Sequence, residues 1–162
     1  MENVFNISWS NTVKIISWAI SFLMVGIGYL TVVKSSSSNA LPLGIFLLIL
    51  ALTGYFVLQA PMSLKVSEDK LIICKLVGTK EIPFPEIEKI ELYEDYHSDI
   101  RLMGNGGFLG YTGVFRNKEL GKYTAYVGNY SQAFYIRTKN GKMYVTSCEH
   151  REEVIRRIRQ KL

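Results

Sequence analysis

Two apolar runs near the start constrain this chain more than any other feature. The first extends from Val13 to Val33 and holds one charged residue, Lys14; the second, Leu43 to Ala60, holds none. At the helical rise of 1.5 Å each is long enough to cross a hydrocarbon core of about 30 Å. Eleven Leu, Ile, Phe or Val residues lie between Leu43 and Leu58. At about −0.3 to −0.6 kcal/mol each, they favour insertion by roughly 3–7 kcal/mol. A cleaved signal peptide has a shorter apolar region, about 7 to 15 residues, and a small-residue cleavage site that is missing here. A soluble chain of this size rarely buries two uninterrupted segments of spanning length. The runs are therefore read as a membrane helical hairpin over 13–60, with spans at about 13–33 and 43–60 and a polar turn at Lys34–Ala40. Gly26, Gly28, Gly44 and Gly54 are small enough to bring the two backbones close.

Charge is segregated as sharply as hydropathy. Lys14 and Lys34 are the only bases before Lys65, and Glu2 is the only acid before Glu68. A hairpin places both termini on one side; Lys14, Lys65, Lys70 and Lys75 flank that side against Lys34 in the turn, so the rest of the chain is expected to face the cytoplasm. Residues 1–12 form a separate segment, read either as an interfacial stretch with Trp9 and Trp18 near the headgroups or as a frayed terminus.

From residue 61 to 162 the period changes from helical to alternating, as in a β-rich domain. Met62, Leu64 and Val66 alternate with polar residues, Glu68-Asp69 turns the chain into Leu71–Val77, and Gly78-Thr79 leads to a third strand ending at an edge, where Pro83 and Pro85 are tolerated. Pro85–Tyr93 points Ile87, Ile90 and Leu92 inward as a turn of helix or as a strand. Further strands follow at Lys122–Val127, Ala133–Thr138 and Met143–Thr146, the last two joined at Asn140-Gly141. That pair predicts a two-residue type I′ hairpin and fixes a register. Ser147 is placed as the N-cap of a closing helix, with Val154, Ile155, Ile158 and Leu162 on its apolar stripe.

Arg101–Gly121, RLMGNGGFLGYTGVFRNKELG, is dense in glycine and aromatic residues. Glycine at this density implies positive φ or close approach, and the aromatics exclude a flexible linker. Gly106-Gly107-Phe108-Leu109-Gly110-Tyr111, continuing through Phe115, Asn117, Leu120-Gly121, Tyr123 and Tyr126, resembles the pattern of bacterial pleckstrin-homology-like (PH-like) domains, over about Met62–Leu162. The resemblance implies an α+β, mainly β fold: a bent antiparallel sheet or barrel closed by a C-terminal helix, often placed after a pair of membrane helices. Together with the lysine asymmetry, this gives the expectation of an integral protein of the bacterial inner membrane with its C-terminal domain in the cytoplasm.

Charge also divides the domain. Residues 61–99 hold five bases and nine acids, and residues 100–162 hold twelve bases and four acids. The basic half suggests contact with an anionic leaflet through Arg101, Arg116, Lys118, Lys122, Lys139 and Lys142, at about 1 kcal/mol per base near the surface. Gly104, Gly106, Gly107, Gly110 and Gly113 shape this stretch, either as sheet bulges and turns or as a nest of free N–H groups for phosphate. No GK[ST] motif supports a nucleotide loop. The alternative to a lipid-contacting module is an adaptor or scaffold subunit that offers a protein partner a sheet edge and exposed tyrosines among Tyr93, Tyr96, Tyr111, Tyr123, Tyr126 and Tyr130. An enzyme is not expected: Glu91, Glu94, Asp95, His97 and Asp99 are the only dense titratable cluster and include no recognisable nucleophile. Cys74 and Cys148, without CxxC spacing, read as reduced thiols. No cofactor, metal or nucleic-acid partner is expected.

Overall fold

A computed structural model describes residues 3–34 and 40–162. Strand β1 (Asn3–Asn6) precedes the helices α1 (Asn11–Lys34) and α2 (Ala40–Leu58). Then come β2 (Pro61–Val66), β3 (Lys70–Lys75), β4 (Thr79–Pro83), β5 (Ile87–Leu92), β6 (Ile100–Gly107), β7 (Gly110–Asn117), β8 (Gly121–Val127), β9 (Ala133–Thr138), β10 (Met143–Ser147) and helix α3 (Arg151–Arg159). The strands form two sheets, ordered β1-β2-β3-β4 and β5-β9-β10-β8-β7-β6. All pairs are antiparallel except β8 with β10. This is a bent, open arrangement rather than a closed barrel.

The core fills the wedge between the sheets. Leu64, Leu71, Ile73 and Ile82 from the smaller sheet meet Ile87, Ile90, Phe134 and Ile136 from the larger, and α3 inserts Val154, Ile155 and Ile158 between them. Its Glu153 and Arg157, one turn apart, are paired at 2.6 Å on the outer side. Helix α3 thus closes the open side of the wedge, and the proline-flanked β4 lies at an edge as its composition requires.

Helices α1 and α2 are long and apolar enough to cross a membrane, consistent with a membrane anchor. None of the most apolar window of α2 is buried, and only 11% of that of α1. That exposure is the reverse of a soluble core helix. The ring of Phe46 packs on Gly28, where a Cβ would come within 2.9 Å of it, whereas Gly26, Gly44 and Gly54 have nothing near. Met1, Glu2 and most of the polar turn read at Lys34–Ala40 lie outside the described residues.

Four local expectations are corrected and one left open is resolved. Residues 3–7 are part of the β-rich domain rather than a frayed or surface-lying terminus: β1 pairs with β2, from Asn3 opposite Val66 to Asn6 opposite Ser63, and Phe5 and Ile7 are buried in the core. Its short alternation of Phe5 and Ile7 with polar residues was the available signal. The β9–β10 connection is a three-residue loop, not a two-residue type I′ turn. Only Gly141 has positive φ; Thr138 pairs with Lys142, one residue away from the predicted register. Asn140 uses its side-chain oxygen to accept from Thr138 Oγ1 at 2.6 Å and Lys142 N at 3.3 Å, bonds that replace left-handed backbone at that position. Ser147 ends β10 and accepts from the N–H groups of Gly128 and Asn129 instead of capping α3, which starts after His150. Leu92 and Leu162 are exposed rather than inward. The ambiguous Pro85 segment divides, with a single 3-10 turn at Phe84–Glu86 followed by β5.

Candidate functional site: the membrane-facing rim and the tyrosine pocket

The domain has a near end, where the two helices attach, and a far end. Ser10, just before α1, donates its N–H to the Gly128 carbonyl at 3.1 Å, directly after β8. On the α2 side, Leu58 and Ala60 accept from Val77 and Leu76, in the β3–β4 turn, at 3.0 and 2.9 Å. The near end is therefore set by the end of β8, the β3–β4 turn and the β6–β7 tip.

Two hairpin tips reach the helices at that level. Leu109, at the β6–β7 tip, donates its N–H to Ser17 Oγ at 2.8 Å, and Gly107 packs on Ile16. Ser17 in turn donates to the Val13 carbonyl at 2.7 Å, so a polar residue inside an apolar helix is fully used. Ile16 and Ser17 lie in the second turn of a helix about 36 Å long, against a core of roughly 30 Å. The other tip carries Leu76 and Val77, both about half exposed, beside the last turn of α2. Phe108 and Leu109 are half-buried. Lys14 and Lys75 bring the positive charge at this level; Lys75 donates to Gln59 at 2.7 Å.

The glycine-rich stretch is a β-hairpin. Gly104, Gly106 and Gly107 lie on β6, and Gly110 and Gly113 on β7, whose two edges pair with β6 and β8. Gly104 faces Gly113 at φ of +118° and +127°, and a Cβ on either would lie 2.3 Å from a backbone carbonyl oxygen opposite. Only glycine fits such a pair.

The six basic candidates are exposed, and five of them gather at the far end. Arg116 and Lys122 are cross-strand neighbours, Lys118 is in the β7–β8 turn, and Lys139 and Lys142 flank the β9–β10 turn, whereas Arg101 of β6 lays its guanidinium against Gly106, beside the β6–β7 tip. Lys122 is five residues from Val127 along β8. That is about 17 Å from the near end at the extended rise. Proximity to glycine in sequence did not mean proximity to the helices, because each strand carries the chain the length of the domain.

A second constellation lies on the outer face of the larger sheet. Strands β5 and β6 occupy opposite edges, so residues 93–99 must cross a face, and tyrosines pin the crossing. The hydroxyls of Tyr93 and Tyr123 donate to the two oxygens of Asp99, the latter at 2.5 Å, and Asn117 Nδ2 donates to Asp99 at 2.8 Å. Burial raises the pKa of Tyr93, Tyr123 and Tyr130 well above the usual phenol range, and the Asp99 carboxylate adds to it. These phenols stay neutral donors. Tyr96 stacks on Tyr130 at 5.4 Å, and Tyr111 meets Tyr130 at 4.9 Å. Together they line a pocket of about 410 Å³ that also touches Ser10 and Thr12 at the start of α1.

Five of the six tyrosines named from sequence thus converge, and Tyr93 and Tyr123 are buried rather than offered to a partner. Tyr126 lies on the opposite face, against the core. The titratable cluster does not act as a unit. Glu91 accepts from Tyr135 at 2.5 Å and pairs with Lys89 at 2.9 Å, bonds that hold its carboxyl below the usual range. Glu94 faces Arg151 at 3.7 Å, while Asp99 enters the tyrosine network through hydrogen bonds and His97 packs on Tyr96 at 4.4 Å at its margin. The signal that could have found the pocket was the need for one crossing segment between distant edges, which requires the strand order.

A β-rich wedge closed by a helix and preceded by two apolar helices defines a PH-like module with a membrane anchor. The chain belongs to the bacterial PH domain family, which it matches over residues 62–162, more than half its length. No curated protein and no solved structure matches it. A PH-like domain suggests a binding module. Strand β1 lies outside the matched segment yet completes the smaller sheet.

Proposed function

We propose that this protein is a membrane-anchored binding module without catalysis, held on the cytoplasmic face of the bacterial inner membrane, whose near rim contacts lipid. The observation that carries the reading is that two hairpin tips, from different sheets, meet different helices at one level and present Leu76, Val77, Phe108 and Leu109 there. Apolar tips at headgroup depth gain from leaving water, and Lys14 and Lys75 add attraction to anionic lipid at about 1 kcal/mol each. Arg116, Lys118, Lys122, Lys139 and Lys142 at the far end lie outside that contact and are free for a soluble ligand, whereas Arg101 reaches Gly106 beside the β6–β7 tip.

The test is vesicle flotation of a helix-free chain in which Ser10 is joined to Pro61 by a short Gly/Ser linker, so that β1 is kept. Serine at Leu76, Val77 and Phe108 is expected to abolish flotation with anionic vesicles, and glutamate at Lys139 and Lys142 to leave it intact. The reverse pattern would return lipid contact to the far end.

A second reading, an adaptor, is favoured by β6. Its outer edge has no partner strand among the described residues, and Ile100, Leu102 and Met103 are exposed on it. Such an edge accepts an added strand. Crosslinking from position 102 in native membranes distinguishes the readings: a single dominant protein adduct supports the adaptor.

A further inference from the structure

We infer that the pocket between the start of α1 and the 93–99 crossing binds an organic ammonium group, of the quaternary type carried by choline. Three features of the pocket lead there. Asp99 lines it and accepts from Tyr93, Tyr123 and Asn117, all neutral donors, so its hydrogen-bonding capacity is largely filled while its charge is not cancelled. Among the described residues no Lys or Arg lines the pocket or pairs with Asp99, although residues 100–162 carry twelve bases. Beside it stands a continuous aromatic corner of Tyr96, Tyr130 and Tyr111, with His97 packed on Tyr96; the rest of the lining is Phe115 and the neutral polar side chains of Ser10, Thr12, Asn129 and Ser131.

A carboxylate with no hydrogens to receive and ring faces beside it suit a cation that donates no hydrogen bonds. A trimethylammonium group spreads its charge over methyl hydrogens and is attracted to ring faces within about 6 Å. A small inorganic cation would instead need oxygen ligands, of which Asp99 has few left, and an anion would meet its charge unscreened. The volume of about 410 Å³ admits such a headgroup with room for its tether. Ser10 and Thr12 place the pocket beside the entry of α1, so the group can come from a lipid headgroup or from a free solute.

The full chain in nanodiscs of phosphatidylglycerol is titrated with tetramethylammonium chloride while the tyrosine ring resonances are followed by NMR. Saturable shifts of Tyr96, Tyr111 and Tyr130 are expected, at least tenfold weaker with 3,3-dimethylbutan-1-ol, the neutral isostere of choline. Sodium chloride at matched ionic strength should give none. Tyr130→Leu should lose the response, and Tyr29→Leu, out on α1, should keep it. Nanodiscs containing phosphatidylcholine sort the source: a several-fold drop in apparent affinity for the free cation identifies the lipid headgroup, and an unchanged affinity identifies a solute. No saturable shift, or an equal response to the neutral isostere, overturns the inference. Since the neutral isostere is compared on the unmutated chain, a misfolded variant cannot decide the matter. The lipid arm alone rests on the bilayer reading, so a failed titration leaves the seating of the domain untouched.

Discussion

The near and far ends of the β-rich domain differ in every property that decides what they can touch. At the near end Leu76, Val77, Phe108 and Leu109 surround the feet of two apolar helices, and the backbone of each tip is hydrogen-bonded to a helix. At the far end, about 17 Å away along the strands, Arg116, Lys118, Lys122, Lys139 and Lys142 are exposed. Phe108 and Leu109 join β6 to β7, the strand that carries Arg116 to the opposite end. The difference teaches that net charge by sequence half is a poor guide to which surface meets a membrane, because a meander returns to each end every dozen or so residues.

The comparison can be broken most severely at β1, which joins the near end to the core from before the helices. Removing residues 1–8 takes out Phe5 and Ile7, buried side chains each worth about 1.5–3 kcal/mol. A loss of roughly 3–6 kcal/mol in unfolding free energy is expected by urea titration, a large part of the total for a domain of this size. A change below about 1 kcal/mol would mean that β1 is not part of the domain.

Next in size is Gly104→Ala, midway between the two ends. It places a methyl 2.3 Å from the Thr112 carbonyl oxygen at a φ of +118°, and should cost about 2–4 kcal/mol in the same assay. The tip at Leu109 should then detach from Ser17, visible as faster amide exchange there.

Alkali attacks the outer face. The phenols of Tyr93, Tyr123 and Tyr130 have folded pKa values raised above the ordinary value of 10.0, chiefly by burial. Their stabilisation is fully present below pH 10 and is lost as pH rises, since the unfolded chain ionises first. Discounted for solvent reach, the loss is about 1–2 kcal/mol per pH unit. Absorbance of tyrosinate near 295 nm should rise cooperatively with unfolding rather than as an independent titration.

The smallest effect is Ser17→Ala. It removes one hydrogen bond to Leu109 and should cost about 1 kcal/mol, with the β3–β4 tip undisturbed.

Much of the fold is legible in the sequence because its signals are local. Uncharged length gives the helices, alternation gives β2 and β3, and the proline pair puts β4 at an edge. Where a side chain competes with the backbone, the reading fails by one step, as at Asn140, whose oxygen sets a three-residue loop, and at Ser147, which serves the Gly128 turn instead of α3. The candidate site is less legible for a topological reason. Asp99 and Tyr123 are 24 residues apart and meet only because β5 and β6 lie at opposite edges, and Ser17 meets Leu109 across 92 residues. No periodicity encodes such pairs.

The account depends on which end of the domain sits in the interface. An environment-sensitive fluorophore attached at position 77, 109, 118 or 140 of the full chain in vesicles, with quenchers carried at known depth on the lipids, reads that directly. The account predicts blue-shifted, strongly quenched emission at 77 and 109 and water-like, unquenched emission at 118 and 140. Quenching at 118 and 140 with none at 77 and 109 would contradict it.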